Sequence, residues 1–187
     1  FLDFLTENIA KKTKMIIGVP RLKQGGGFYN SLIVLNSQSE IEDYYDKKFL
    51  VPFGEFMPYR SLLNLLPLVS NKGEFSPGLG DFLIGSEKLR FTGLICYDAL
   101  FPDVSRNQDS HFIVNISNDI WFIQELFGYN ISLAPFQHLD MVRMRAIESG
   151  KSILRATNRG ISAVISPTGG VEQSLLYDES GVIIGKI

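Results

Sequence analysis

The sequence predicts a layered α/β domain, and three features carry the prediction. Apolar runs of strand length recur along the chain. The stretch Gln137–Ser149 keeps a helical period. Pro167-Thr168-Gly169-Gly170 joins two strand-like runs as a hairpin turn. Strands alternating with helices, with hairpins between some of them, pack as a sheet covered by helices. At 187 residues the chain suits one domain with a sizeable core.

The elements follow in order. Phe1, Leu2, Leu5 and Ile9 recur at helical spacing, and Lys11-Lys12 suits a helix C-terminus. Met15–Val19 reads as a fully buried strand stopped by Pro20. Gly25-Gly26-Gly27 marks a turn into a second strand, Tyr29–Asn36. Glu40–Asp46 reads as a polar connection. Pro52, Gly54 and Pro58 forbid a regular element over Lys47–Tyr59, and Arg60–Val69 has the pattern of a short helix.

Phe91–Cys96 is a buried strand, and 99–107 turns into a short helix. Phe112–Ser117 is another apolar strand ending in the polar cluster Asn115, Ser117, Asn118 and Asp119, of which Asn115, Asn118 and Asp119 read as loop-organising hydrogen-bonders. In the Gln137–Ser149 helix, Leu139, Val142, Ala146 and Ile147 share the core face. Arg143, Arg145 and Glu148 fall on the solvated side, and Gly150 supplies the cap. Ile153–Ala156, Ile161–Ile165, Val171–Leu176 and Gly181–Ile187 complete the strands.

Composition excludes several classes. The net charge is −2 with scattered basic residues, so no nucleic-acid surface is expected. The two histidines, His111 and His138, lack zinc-ligand spacing. A single cysteine cannot form an internal disulfide. The longest apolar runs, such as Leu62–Val69, are too short to span a bilayer, and Phe1 opens within an amphipathic pattern like a cut through a longer chain.

Two segments carry chemistry. GLICYDAL places the one cysteine, Cys96, at the end of an apolar strand and before a turn. A cysteine there is either a small buried hydrophobe or a thiol lifted among backbone N–H groups that stabilise a thiolate and an oxyanion. KKFLVPFGEFMP embeds Lys47 and Glu55 among Val, Phe and Pro on an irregular segment. Lys47 is then either a surface cation or the cation a nucleophilic site requires, and Glu55 either a backbone acceptor or its partner.

Together with NISNDIWF and PFQHLDMVRMRAIESGKSILRATNRGISAVISPTGG, these segments resemble the nitrilase superfamily of carbon-nitrogen hydrolases. Within it they look like the extracytoplasmic domain of the lipoprotein N-acyltransferases. The resemblance implies a nitrilase-like α-β-β-α sandwich, here N-terminally truncated, over 1–187. It also implies acyl transfer from a phospholipid to the N-terminal amine of a diacylglyceryl-cysteine lipoprotein, through a thioester. By that resemblance Cys96 is the nucleophile, Lys47 stabilises the oxyanion and Glu55 supports Lys47. Asp98 stands where the family has a glutamate, beside Tyr97; Cys96, Lys47 and Glu55 would converge on one pocket, and the implied chemistry requires no metal or organic cofactor. Trp121 and Phe122 are candidates for a lid over the acyl chain. The partners implied are the phospholipid donor, the lipoprotein acceptor and the bacterial inner membrane, reached from its periplasmic side through helices outside this sequence.

The sequence departs from that pattern in places. The family's general base is a glutamate on an upstream strand, and Glu7, Glu40 and Glu42 lack its context. The expectation is that this strand and the flanking membrane helices are missing from the chain. The stretch after Phe122 is longer than the family pattern. A soluble amidase and a non-catalytic remnant are the competing expectations.

Overall fold

The computed structural model describes residues 13–59, 75–86, 89–105, 109–122, 125–126, 129–130, 133–177 and 179–187. The predicted helices at Phe1–Lys12 and Arg60–Val69 lie outside these residues. The chain divides into two compact units, Phe1–Gly80 and Asp81–Ile187.

The first unit is built on a three-stranded antiparallel sheet in the order β1-β2-β3. Its strands are β1 (Met15–Leu22), β2 (Phe28–Leu35) and β3 (Ile41–Asp46). β1 runs through Pro20 instead of stopping there, and it is half-buried rather than fully buried. An edge strand tolerates proline because only one side of its backbone must pair, and β1 is an edge. The span expected as a polar connection is the other edge strand, β3. Its exposed residues are Ile41, Glu42 and Tyr44, so alternation of apolar residues is faint, yet Tyr45 and Asp46 are buried.

Leu32, Ile33, Val34 and Leu35 of central β2 form the buried centre of this unit. The edges are tied together by Asp46, which accepts from Ser31 Oγ at 2.6 Å and pairs with the Arg21 guanidinium. That bond holds the Arg21 pKa above its ordinary value. Beyond β3 the chain is irregular, as Pro52 and Pro58 require, and Phe75 returns to make a bridge with Phe28.

The second unit is a six-stranded mixed sheet, ordered β11-β10-β9-β6-β5-β4. Its strands are β4 (Leu83–Ser86), β5 (Leu89–Ile95), β6 (Phe112–Asn118), β9 (Ile153–Asn158), β10 (Ser162–Ile165) and β11 (Val171–Leu175). Two-residue strands β7 (Glu125–Leu126) and β8 (Tyr129–Asn130) form a separate short ladder. β5, β6 and β9 are mutually parallel at the centre. β5 and β6 are buried along most of their length and read as mainly apolar runs, as strands covered on both faces should, whereas β9 carries Arg155 in its middle. β4 was not legible, because its four residues carry too little pattern; the hairpin of β10 and β11 forms as expected.

Helix α1 (Ala134–Ser149) crosses between β6 and β9. Pro135 in the first turn costs no hydrogen bond, and Gly150 closes the helix at φ 65° with its N–H on the Ala146 carbonyl at 2.9 Å. Leu139, Val142 and Ala146 are buried as predicted. Two assignments reverse: Ile147 is exposed, whereas Arg145 is buried beside Glu148. The face turned to the sheet lies nearer the 138–142–145 line than the 139–143–147 line, so the buried stripe includes His138 and Arg145. Gly181–Ile187 pairs with no strand among the described residues, and Val182 and Ile184 are exposed. No described helix is long and apolar enough to cross a membrane.

One close approach fixes the backbone at the end of β3. Gly78 donates its N–H to the Lys47 carbonyl at 2.9 Å, and a Cβ there would lie 2.1 Å from the Asp46 carbonyl oxygen. Neither backbone can give way without breaking that bond. Gly78→Ala is therefore expected to cost about 2 kcal/mol or more, read as a lowered urea midpoint with an unchanged slope.

Candidate active site

In the second unit the site is assembled at the carboxyl ends of the three parallel strands, where α/β sheets place their chemistry. β5 ends at Ile95, and Cys96 begins a 3₁₀ turn, Cys96–Leu100. The expected strand therefore stops one residue early, and the expected short helix over 99–107 is two 3₁₀ turns, the second being Pro102–Ser105. Cys96 has φ 48°, a left-handed conformation that a residue with a Cβ adopts at a cost of about 1–2 kcal/mol. The residue is partly exposed, unlike the buried strand that leads to it.

Asp98 is fully buried and holds the start of this turn. Its carboxylate accepts from the Ile95 N–H at 3.0 Å. The acidic residue beside the nucleophile candidate is thus committed to the backbone. Tyr97 packs edge-to-face on Phe101, with ring centroids 5.3 Å apart.

Beneath the turn lies a polar cluster drawn from the neighbouring strands. Arg155 of β9 and Asn115 of β6 are register partners and hydrogen-bond side chain to side chain. Asn115 in turn donates to the Leu94 carbonyl of β5 at 3.3 Å. Arg155 donates from Nη2 to Asp119 Oδ2 at 2.7 Å and from Nε to the Ile161 carbonyl at 3.1 Å. Asp119, just past β6, also accepts from Ser117 Oγ. His138 of α1 faces the same carboxylate, with Nδ1 3.1 Å from Oδ1, and its Nε2 lies 3.2 Å from the Cys96 carbonyl oxygen.

The electrostatics follow from burial. Both side chains of the Arg155–Asp119 pair are wholly inaccessible. Burial alone would push the Asp119 carboxyl up, but His138 and the Arg155 charge outweigh it and hold the carboxyl below its ordinary value. Burial lowers Arg155, against the opposing pull of Asp119 and Cys96. One ligand atom each from Cys96, Asp119 and His138 lies within 4.8 Å of the others, the spacing of a metal site. Their chemistry argues otherwise. The Asp119 oxygens and His138 Nδ1 already face the Arg155 guanidinium, and a second cation there would meet its charge.

In the first unit Lys47 follows β3, and only 1% of its side chain is exposed. Its Nζ donates to Glu55 Oε2 at 2.6 Å. Glu55 also accepts from the Val51 N–H at 2.7 Å and from Asn30 Nδ2 at 2.6 Å. Lys47 is therefore a buried, paired cation and not a surface one, and Glu55 partners it while bracing the irregular segment. Lys47 and Glu55 belong to the first unit, and Cys96, Tyr97 and Asp98 to the second. The backbone of Trp121 and Phe122 lies in a 3₁₀ turn directly after β6. Their side chains, and the longer stretch expected after them, fall largely outside the described residues.

Residue patterns undervalued the polar cluster. Asn115, Asn118 and Asp119 read as loop-organising residues, which holds for Asn118, whose side chain accepts from the Ile120 N–H. Asn115 and Asp119 are instead buried partners of Arg155. The available signal was Arg155 itself, a charge in the middle of the apolar run ILRATN.

The chain belongs to the carbon-nitrogen hydrolase family, whose model matches residues 4–187. The nitrilase-like α/β fold expected from the sequence is also found among solved structures. A carbon-nitrogen hydrolase from Helicobacter pylori G27 matches 96% of this chain and 64% of its own with TM-score 0.73 and 17% identity. A glutamine-dependent NAD+ synthetase from Acinetobacter baumannii matches 96% of this chain and 32% of its own, with TM-score 0.69 and 16% identity.

Closer in sequence are apolipoprotein N-acyltransferases. That of Bradyrhizobium diazoefficiens is 37% identical over 96% of this chain and 34% of its own length. That of Wigglesworthia glossinidia brevipalpis is 38% identical over 88% of this chain and 34% of its own. The chain thus spans about a third of the length of these curated relatives.

Two predictions test the cluster. A Cβ on Gly160 would lie 2.2 Å from Asp119 Oδ2, so Gly160→Ala must displace the carboxylate from Arg155. Its melting temperature is expected to fall by several degrees.

Asp119→Asn leaves the Arg155 charge buried without its partner, at a cost of about 3–5 kcal/mol at pH 7. The pH dependence has a definite sign. The folded pKa of Asp119 is lowered from 3.8, so its contribution is fully present above that value and is lost as pH falls through the lower, folded one. Urea titrations across the acid range should therefore show a shallower loss of stability in Asp119→Asn than in the parent.

Proposed function

We propose that this chain carries the catalytic domain of a lipoprotein N-acyltransferase. The observation that carries the reading is Cys96, a partly exposed cysteine on a left-handed turn at the end of a central parallel strand. Such a thiol can reach a substrate while its backbone surroundings stay fixed. The names of the similar proteins support the acyl-transfer class. The donor, the acceptor and the thioester are our assignment.

In the proposed reaction the Cys96 thiolate attacks the carbonyl of a phospholipid ester. The C–O bond breaks, a lysophospholipid leaves with a proton, and the acyl group remains on sulfur as a thioester. The N-terminal amine of a diacylglyceryl-cysteine lipoprotein then attacks, the C–S bond breaks, and the amine loses a proton as the thiol is restored. No electrons are exchanged with a cofactor.

Lys47 is proposed to stabilise the oxyanion of both tetrahedral intermediates, with Glu55 holding its ammonium in place. The 2.6 Å pair and the burial of Lys47 support this role, since a desolvated cation acts strongly on developing charge. No carboxylate among the described residues is assigned as the general base. The setting proposed is the periplasmic side of the bacterial inner membrane, where both substrates reside.

The test is covalent labelling of the protein by a long-chain acyl phosphonate. Cys96 should carry the label, and Cys96→Ser should lose both the label and acyl transfer. Lys47→Met should slow transfer by about 10²–10³-fold, the effect of removing one oxyanion-stabilising group. A label on another residue, with transfer intact in Cys96→Ser, would discard the mechanism. Turnover of small soluble amides in place of lipid esters would move the protein to an amidase.

A further inference from the structure

His138 is the residue whose geometry the acyl-transfer scheme leaves unused. It is 4% exposed and comes from α1, an element separate from the strand that ends at Cys96. Its Nε2 faces a carbonyl oxygen, which can only accept, so Nε2 carries a proton in this arrangement. Its Nδ1 faces both the Asp119 carboxylate at 3.1 Å and Arg155 Nη2 at 3.3 Å. When the ring is neutral, Nδ1 accepts from Arg155; when it is charged, Nδ1 donates to Asp119. Either way the ring plane is fixed and Nε2–H points at the backbone of the cysteine.

We infer that His138 is a positioning residue for Cys96, locking the strained turn through the Nε2–H···O=C bond, with Asp119 and Arg155 fixing its ring. The left-handed conformation of Cys96 costs free energy and persists only if the surroundings over-determine it. Two such restraints are present: the Asp98 carboxylate on the Ile95 N–H ahead of the cysteine, and His138 on the carbonyl of the cysteine itself. The second also turns that carbonyl dipole toward His138, so that its negative end is held by a donor. A thiolate next to an unheld, freely rotating carbonyl would lose that arrangement. The Arg155 charge interacts with Cys96 as well, so the cluster acts on the thiol both through the backbone and through space.

This inference rests on Cys96 being the reactive thiol, but its test needs no acyl donor, so failure of acyl transfer would leave the outcome readable. Iodoacetamide alkylation of Cys96 at pH 7, followed by mass spectrometry, reports thiol reactivity alone. His138→Leu should be alkylated at least tenfold more slowly than the parent. His138→Gln, whose side-chain amide can place an N–H near the same carbonyl, should recover most of the rate. Equal rates in the parent and His138→Leu, or equal loss in Leu and Gln variants that both fold, would overturn the role. Should His138→Leu not fold, imidazole ¹⁵N spectra of the unmutated protein decide the question. A protonated Nε2 throughout neutral pH, with a shift change on alkylating Cys96, is expected. An Nε2 lacking its proton would overturn the inference, because the bond to Cys96 could not exist.

Discussion

The second unit is organised around a buried ion pair, Arg155 with Asp119, both wholly shielded from water. A guanidinium in the middle of an apolar strand would be ruinous alone, and its five donors demand partners in a fixed fork. Asp119, Asn115 and the Ile161 carbonyl meet most of that demand, and each comes from a different turn or strand. The pair thereby constrains the register of β6 against β9 and the path of the chain after β6. It also limits residue 160 to glycine, whose missing side chain is the space the carboxylate occupies. Such a pair adds less to net stability than its contacts suggest, because desolvation offsets the attraction. Its value lies in specifying one arrangement of three strand ends.

The first unit solves a related problem with irregular chain. Lys47 is as buried as part of a core and its partner Glu55 is half-buried, yet they sit on a segment that prolines keep out of any regular element. Glu55 accepts from the Val51 N–H as well as from Lys47, so one carboxylate satisfies a backbone donor and holds a cation at once. The loop is stiff for the same reason that the ammonium is oriented.

How much of this was legible depended on whether a feature wrote itself into local pattern. β5 and β6 did, since a strand covered on both faces is mainly apolar, and they read as Phe91–Cys96 and Phe112–Ser117, the first one residue too long. α1 did as well, although its buried stripe was placed about one residue off, which hid Arg145 and His138. The edge strands were poorly legible: β3 exposes Ile41 and Tyr44 beside Glu42, which blurs its alternation, and β4 is only four residues long. Cys96, Lys47 and Glu55 stood out by chemical type and context. The Arg155 cluster did not, because its members come from distant positions and each alone resembles an ordinary polar residue near a strand end. Only register pairing, which no local window contains, shows that they meet.

That dispersal bears on how the thiol matures. Cys96 leaves the ribosome well before His138 and Arg155, and parallel pairing of β6 with β9 must wait for the whole crossover through α1. Pairings of high sequence separation are among the slowest steps of folding, since the chain is ordered before any contact rewards it. Until they form, the cysteine lies in flexible chain with the reactivity of any free thiol. Its special environment arrives as a late, cooperative event, so a nascent or misfolded chain carries an ordinary thiol at the position where the finished domain holds a partly exposed one on a left-handed turn.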